Sequence, residues 1–285
     1  MNNFGIIGQG FVGGALREGM KHVFDIETYD IDPDKESTCN SVSEIVDRVE
    51  KVIFVCLPTP MDSEGRCSTK IVEDSISEIN DTCIALQKKL IVVIKSTVEP
   101  GTTERLNKRY AGITVAFNPE FLTEANAVED FKNQTRIIVG ATRPSSGIVR
   151  NLYLKAFPKT PIIKTSSTIA ETVKYFTNCF LATKVSFANE MKQICDGVDI
   201  DYDKVVEYAL YDDRIGKSHL AVPGPDGNPG FGGHCFPKDL NAMRYMAESF
   251  GIDATMLTAV WNKNLEVRSE DERDWLRMKG RAIID

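Results

Sequence analysis

Short apolar runs punctuate the first 164 positions, each separated from the next by a stretch of helical spacing. They are Phe4-Gly5-Ile6-Ile7, Ile26–Tyr29, Val52–Leu57, Leu90–Ile94, Ile113–Phe117, Arg136–Gly140 and Pro161–Lys164. Near-continuous apolar strands alternating with helices belong to a parallel sheet covered on both faces. From Ser167 the pattern changes to long helices, with Thr168-x-x-Glu171 as a capping box, and Ala254 to about Arg281 reads as one long helix, charged after Asn264. The expected fold is therefore α/β. A doubly wound parallel sheet occupies residues 1–164, and an all-helical domain with a long terminal helix occupies 165–285.

The first strand runs into Gly8-Gln9-Gly10-Phe11-Val12-Gly13 and then Ala15-Leu16, which continue as a helix. This is G-x-G-x-x-G in its required setting of strand, tight turn and helix start, the Rossmann fingerprint for a dinucleotide. Gly8 permits the turn, Gly10 lets backbone meet a pyrophosphate, and Gly13 allows close helix–strand packing. The second strand ends at Asp30, 22 residues after Gly8. A carboxylate there accepts from an adenosine ribose and repels a 2′-phosphate, which favours NAD over NADP. Ligands of such sheets bind beyond the carboxyl ends of the strands. Those ends carry Leu57-Pro58-Thr59-Pro60, Lys95 to Thr102, and Asn118-Pro119-Glu120-Phe121-Leu122-Thr123-Glu124.

The stretch Gly232-Gly233-His234-Cys235-Phe236-Pro237-Lys238-Asp239 places one cysteine just before a proline suited to open a helix. The positive end of the helix dipole favours thiolate over thiol there. Asp239 falls in the first helical turn, in reach of a water or a neighbouring base. The loop Pro223–Gly233 has Gly or Pro at eight of eleven positions, so its backbone can approach a ligand. Taken alone, a Gly-Cys pair is more often a buried cysteine beside a turn. Lys174 and Asn178 are four apart and share one helix face; flanking apolar residues indicate that this face is partly covered, which suits stabilising a developing oxyanion. Glu120 and Glu124 read equally well as general bases or as charges at a helix start.

Apolar residues at 42% and charged residues at 26% are ordinary globular values. The net charge of −7 argues against nucleic acid or an anionic membrane as the partner. No apolar run reaches membrane-spanning length, and the first strand begins too early for a signal peptide. Seven cysteines without a C-x-x-C pair point to reduced thiols in a cytoplasm, and three scattered histidines give no metal-ligand spacing.

Together these segments resemble the UDP-glucose/GDP-mannose dehydrogenase family. The motifs that carry the likeness are Gly8 to Gly13, Lys95-Ser96-Thr97-Val98, Asn118-Pro119-Glu120-Phe121-Leu122-x-Glu124, and Glu171-x-x-Lys174-Tyr175-x-x-Asn178 with Phe187-x-Asn189-Glu190. Arg214-Ile215-Gly216 and Phe231 to Asp239 complete the set, in family order over nearly the whole chain. The resemblance implies a four-electron oxidation of a nucleotide sugar's C6 alcohol to a carboxylate, UDP-glucose to UDP-glucuronate, with NAD as cofactor. It makes Cys235 the nucleophile of a thiohemiacetal and thioester, with Lys174 and Asn178 holding the C6 oxygen. Glu120 activates water, and Asp239 positions that water or the lysine. Thr97 and Glu124 bridge a water near the nicotinamide, and Phe11, Val12, Pro58, Thr59 and Ser96 join Gly8, Gly10, Gly13 and Asp30 around the cofactor. Phe121, Leu122, Phe231 and Gly232 line the substrate, and Arg214 reaches its phosphate, in the partner subunit of a homodimer. Relatives continue into a second nucleotide-binding domain that this sequence lacks. The loop between Arg214 and Cys235 is also longer than the family pattern. The alternatives are a two-electron β-hydroxyacid dehydrogenase, which needs no cysteine, and a non-catalytic NAD-binding module. The apolar positions from Met256 to Leu276 imply a stripe that a partner copy covers.

Overall fold

The computed structural model describes residues 1–284 and divides into two compact units. One comprises residues 1–59 and 69–174, the other residues 60–68 and the chain from Tyr175 onward.

The first unit is built on seven strands, β1 (Asn3–Ile7), β2 (Asp25–Tyr29), β3 (Val52–Val55), β4 (Leu90–Ile94), β5 (Ile113–Phe117), β6 (Ile137–Gly140) and β7 (Ile162–Thr165). Their order in the sheet is β2-β1-β3-β4-β5-β6-β7. Helices α1 (Phe11–Met20), α2 (Val42–Arg48), α3 (Lys70–Ala85), α4 (Thr102–Arg109), α5 (Ala127–Lys132) and α6 (Ser145–Ala156) follow the strands. Every residue of β3 and β4 is buried because both faces are covered. Alternate residues feed opposite layers: Ile53 and Val55 pack with Ile45 and Ile76, while Val52 and Phe54 pack with Leu16 and Tyr153. The strand order reverses direction at β1, which has β2 on one side and β3 on the other, so the loop after β1 lies at the switch point.

The sheet is mostly parallel, as expected, with one exception. β5 pairs with β6 antiparallel, through Phe117 and Gly140, and β7 then runs parallel to β6. The apolar run could not reveal this, because a strand covered on both faces has the same composition in either direction.

Helix α7 (Ser167–Gly197) has 31 residues, and the division between the units falls between Lys174 and Tyr175 on it. The expected capping box at its start does not form. Instead Glu171, fully buried, accepts from the backbone N–H of Gly101 at 2.6 Å and of Thr103 at 2.9 Å, capping α4. Burial pushes the Glu171 carboxyl above its ordinary pKa.

The second unit contains the rest of α7 with α8 (Tyr202–Ala209), α9 (Cys235–Ser249) and α10 (Thr255–Val267). The helix expected to run to Arg281 ends at Val267. Arg268 adopts an extended backbone, Glu272 accepts the Ser269 N–H at 2.8 Å, and two 3-10 turns follow at Glu270–Glu272 and Asp274–Arg277. The chain thereby folds back, burying Trp275 against Trp261 with ring centroids 5.7 Å apart. The Met61 N–H donates to Ala282 at 2.9 Å and its carbonyl accepts from Ile284 at 3.0 Å, closing the segment onto residues 60–68. Val260 and Trp275, read from the pattern as a stripe awaiting a partner, are therefore covered within their own unit. Among the described residues no helix is long and apolar enough to cross a membrane.

Candidate active site

In the first unit the predicted cofactor residues gather at the carboxyl ends of β1 to β5. Gly8 takes the left-handed φ of +90° that the turn needs, and its N–H donates to Tyr29 at 2.9 Å. A Cβ on Gly13 would run into the Gly8 carbonyl oxygen, whereas one on Gly10 would meet nothing within 4 Å. Gly13 is thus fixed by packing, and the space beside Gly10 is open to a ligand. The Asp30 carboxylate is held at the end of β2, accepting from the Gln9 N–H at 2.5 Å and the Asp32 N–H at 2.9 Å. Phe11 and Glu124 line one cavity of about 400 Å³ together with Gly14, Ala15 and Glu18. Thr59 donates to the Thr97 carbonyl at 2.8 Å and Ser96 to the Leu57 carbonyl at 2.6 Å, stitching the ends of β3 and β4 together. Pro58 is exposed beside them, and Val12 is half-buried at the start of α1. These groups fit an NAD molecule, with open backbone at the glycines and an acidic anchor for the ribose.

The same unit contains a buried ion pair. Lys174 is 3% exposed and Glu120 is 7% exposed. The lysine Nζ donates to Glu120 Oε1 and to the Glu120 carbonyl, both at 2.8 Å. The other carboxylate oxygen accepts from the Leu122 N–H at 2.7 Å. Burial pushes the Glu120 carboxyl up, but the charge and hydrogen bond of Lys174, the Leu122 N–H and Lys95 outweigh it and hold it below its ordinary range. Two cations lie over the Phe121 ring, the Arg136 guanidinium 4.1 Å and the Lys174 Nζ 5.7 Å from its centre.

Lys95 had been assigned no role. Its Nζ is buried and donates to Asn118 Oδ1 at 2.8 Å, with no carboxylate within 4 Å among the described residues. Burial pulls its pKa down to about 8.

In the second unit α9 begins at Cys235 itself, two residues before the expected start at Pro237. A proline within the first turn removes no hydrogen bond, since those N–H groups have no partner inside the helix. Asp239 is 1% exposed, one turn beyond the cysteine. Its Oδ2 accepts from Asn178 Nδ2 at 2.6 Å and its Oδ1 takes the Lys238 ammonium, so it binds α7 to α9. Lys238 is a second residue that carried no predicted role. Burial alone would lower its pKa, but Asp239 and the neighbouring Cys67 and Cys235 raise it well above the usual value. Burial pushes the thiols of Cys56 and Cys179 up to about 12 and raises those of Cys39 and Cys83. Cys235 lies in the first turn of α9.

The remaining predicted residues lie elsewhere in this unit. Phe231 sits in the core against Phe236 and Trp261 at 6.0 and 6.4 Å, and Asn264 takes both its backbone N–H and its carbonyl. Gly232 adjoins Arg268 and Asp274. Arg214 is exposed, with its guanidinium held by Asp212 at 2.8 Å. Loop residues 230, 231 and 233, expected to offer backbone to a ligand, have their N–H groups taken by Asn189, Asn264 and Asp274. Among the described residues no group of three or more His, Cys, Asp or Glu could hold a metal ion.

Comparison with known proteins gives the chain's family. The profile of the UDP-glucose/GDP-mannose dehydrogenase family's NAD-binding domain matches residues 39–157, and that of its central domain matches 168–266. The UDP-glucose 6-dehydrogenase of Rickettsia felis is 35% identical over 220 residues, covering 75% of this chain and 47% of that protein. The Haloferax volcanii UDP-glucose 6-dehydrogenase AglM is 30% identical, covering 91% of this chain and 68% of that one. A UDP-glucose dehydrogenase structure from Pyrobaculum islandicum superimposes with a TM-score of 0.83 at 30% identity, over 93% of this chain and 68% of that one. A Mycobacterium tuberculosis 3-hydroxyisobutyrate dehydrogenase, at 15% identity and a TM-score of 0.75, shares the fold alone. The chain spans about half the length of several of the curated relatives it matches, such as 47% and 49% for two Rickettsia proteins. The expected cofactor, NAD, is the one named for the matched N-terminal domain. With both domain profiles matched in order along the sheet and the helices that follow it, this chain belongs to the UDP-glucose/GDP-mannose dehydrogenase family.

Proposed function

We propose that this chain oxidises the C6 alcohol of a nucleotide sugar, UDP-glucose, to the carboxylate in two steps through a covalent bond to Cys235. The observation that carries this reading is the Asn178–Asp239 contact at 2.6 Å. Within the second unit it fixes the part of α7 that bears Asn178 against the helix that Cys235 opens. Lys174 and Asn178 are four residues apart in the sequence of α7, and each carries an N–H donor of the kind that stabilises a developing oxyanion. Gly8–Gly13 and Asp30 would hold NAD, which would supply the hydride acceptor for both oxidations.

The chain's own groups account for the rest. Lys174 and Asn178 stabilise the C6 oxygen as negative charge develops. The Cys235 thiolate, favoured at the start of α9, adds to the aldehyde carbon to give a thiohemiacetal, whose oxidation leaves a thioester. Glu120, kept ionised by Lys174, takes a proton from the water that attacks the thioester, and the thiolate leaves with its electron pair. Asp239 orients Asn178 and Lys238. A screen of nucleotide sugars for NADH formation tests this reading. UDP-glucose should give the highest kcat/KM, and no NADH from any nucleotide sugar would overturn it.

Asp30 sets the cofactor preference. A 2′-phosphate against its fixed carboxylate meets like-charge repulsion in a partly desolvated site. NAD should be favoured over NADP by about a hundredfold or more in kcat/KM, roughly 2.7 kcal/mol. Equal use of the two cofactors would show that Asp30 does not face the ribose.

We also propose a homodimer, built on α7 rather than on the terminal helix. Phe176, Phe180, Phe187 and Ile194 are 71%, 57%, 61% and 52% exposed. Steps of four, seven and seven residues place them in one narrow stripe. A second copy of the stripe is its self-complementary cover, and Arg214 is exposed to serve a partner's substrate. Phe180→Glu should shift light scattering from dimer to monomer; a wild-type monomer at micromolar concentration would contradict the proposal. The reducing chemistry of the cytoplasm suits the free thiols of Cys39, Cys56, Cys83, Cys179 and Cys195.

A further inference from the structure

The loop that delivers Cys235 is held by side chains from far along the chain. Asn189 on α7 accepts the Gly230 N–H at 3.0 Å, and Asn264 on α10 takes the Phe231 N–H at 2.7 Å. Beyond α10, Asp274 accepts the Gly233 N–H on both carboxylate oxygens at 3.0 Å, two residues before the cysteine. Arg268 lies behind this contact and is 1% exposed. It donates to the Pro229 carbonyl at 3.2 Å and the Glu272 carbonyl at 2.7 Å, and it pairs with Asp226 in the longer part of the loop. The Arg268 guanidinium also lies 3.8 Å from Asp274. A Cβ on Gly232 would strike both Arg268 and Asp274, so the two side chains grip the backbone with no room for a methyl group. Gly233 follows at a φ of +69°, turning the chain into α9.

We propose that Asp274 and Arg268 are positioning residues for Cys235, making the folded-back segment after α10 part of the catalytic apparatus. The segment lies past residue 266, where the family's central-domain match ends. Its role is to fix the approach of the thiolate, because a bound Gly233 N–H sets where the first turn of α9 begins. An error of about 1 Å in such a placement costs on the order of a hundredfold in rate.

The inference rests on Cys235 as the nucleophile, and two readouts separate it from the proposed function. The first is the rate at which iodoacetamide alkylates Cys235, followed by peptide mass, which needs no substrate. The second is steady-state kinetics with UDP-glucose and NAD. Asp274→Ala should slow alkylation about threefold or more and lower kcat about tenfold or more. KM for NAD should be unchanged. Asp274→Asn keeps an acceptor for the Gly233 N–H and should recover most of both losses. Gly232→Ala removes no side chain but displaces the grip, and should reproduce the Asp274→Ala values. It decides the matter if Asp274→Ala does not fold. In the double variant the two effects should not add fully, since both act on the same Gly232–Gly233 backbone. Wild-type alkylation and wild-type kcat in folded Asp274→Ala, or in Gly232→Ala, would overturn the proposal. If no nucleotide sugar yields NADH, the functional reading fails while the alkylation rates still decide the positioning role.

Discussion

Cys235→Ser should lose carboxylate formation by several orders of magnitude while still binding NAD. A serine hydroxyl forms an alkoxide far less readily than a cysteine forms a thiolate, and an oxygen ester expels its leaving group less readily than a thioester. The first oxidation, alcohol to aldehyde, needs no bond to sulfur and should persist at a reduced rate. The other thiols offer no substitute, since Cys56 and Cys179 have pKa values pushed to about 12 by burial. Alanine at Cys56 or Cys179 should leave turnover within a few-fold of wild type. The measurement is the amount of uronate formed, set against aldehyde trapped with a hydrazine. Wild-type rates of acid formation in Cys235→Ser would remove the covalent mechanism.

The second large effect is expected at the Lys174–Glu120 pair, which combines stability with catalysis. Both groups are buried, so removing one leaves the other as an uncompensated charge, at a cost of about 3–5 kcal/mol. Glu120→Gln and Lys174→Met should each show that loss in urea unfolding at neutral pH, and the double variant should lose less than the sum. The pH dependence has a definite sign. The Glu120 pKa is depressed in the folded protein, so its stabilising contribution is fully present above the ordinary carboxylate range near about 4.3. The contribution disappears as pH falls through the lowered value, and wild type and Glu120→Gln should converge in acid. In catalysis, loss of the Lys174 donor should lower kcat about 10²–10³-fold, with little change in KM for NAD. A Lys174→Met enzyme of normal kcat would exclude the lysine from the reaction.

How far these features were visible in the sequence depends on what fixed each one. The strands were legible because β3 and β4 must be apolar at every residue, and the glycine turn was legible because Gly8 and Gly13 have no alternative at their positions. The antiparallel pairing of β6 left no trace in composition. The end of α10 was hidden for a different reason. Trp275 and Leu276 continue a helical spacing, yet Arg268 is buried by partners 39 and 42 residues away, and that contact redirects the chain. Periodicity describes one helix at a time and carries no information about such pairs. The buried charges Lys174, Glu120, Lys238 and Asp239 run against the general rule that charged residues stay at the surface. Three of them were identified from their motifs, and Lys238 stood in the same motif without a role. The hold on the cysteine loop by Asn264, Arg268 and Asp274 belongs to no motif and emerged only from the fold.

The central claim is that one enzyme-bound sugar is oxidised twice at Cys235. It is tested most directly by counting NADH formed per UDP-glucose consumed, in single turnovers with excess NAD and with the product identified by mass. The account predicts two NADH and UDP-glucuronate for every UDP-glucose. One NADH per sugar, with an aldehyde or ketone as the accumulating product, would contradict it.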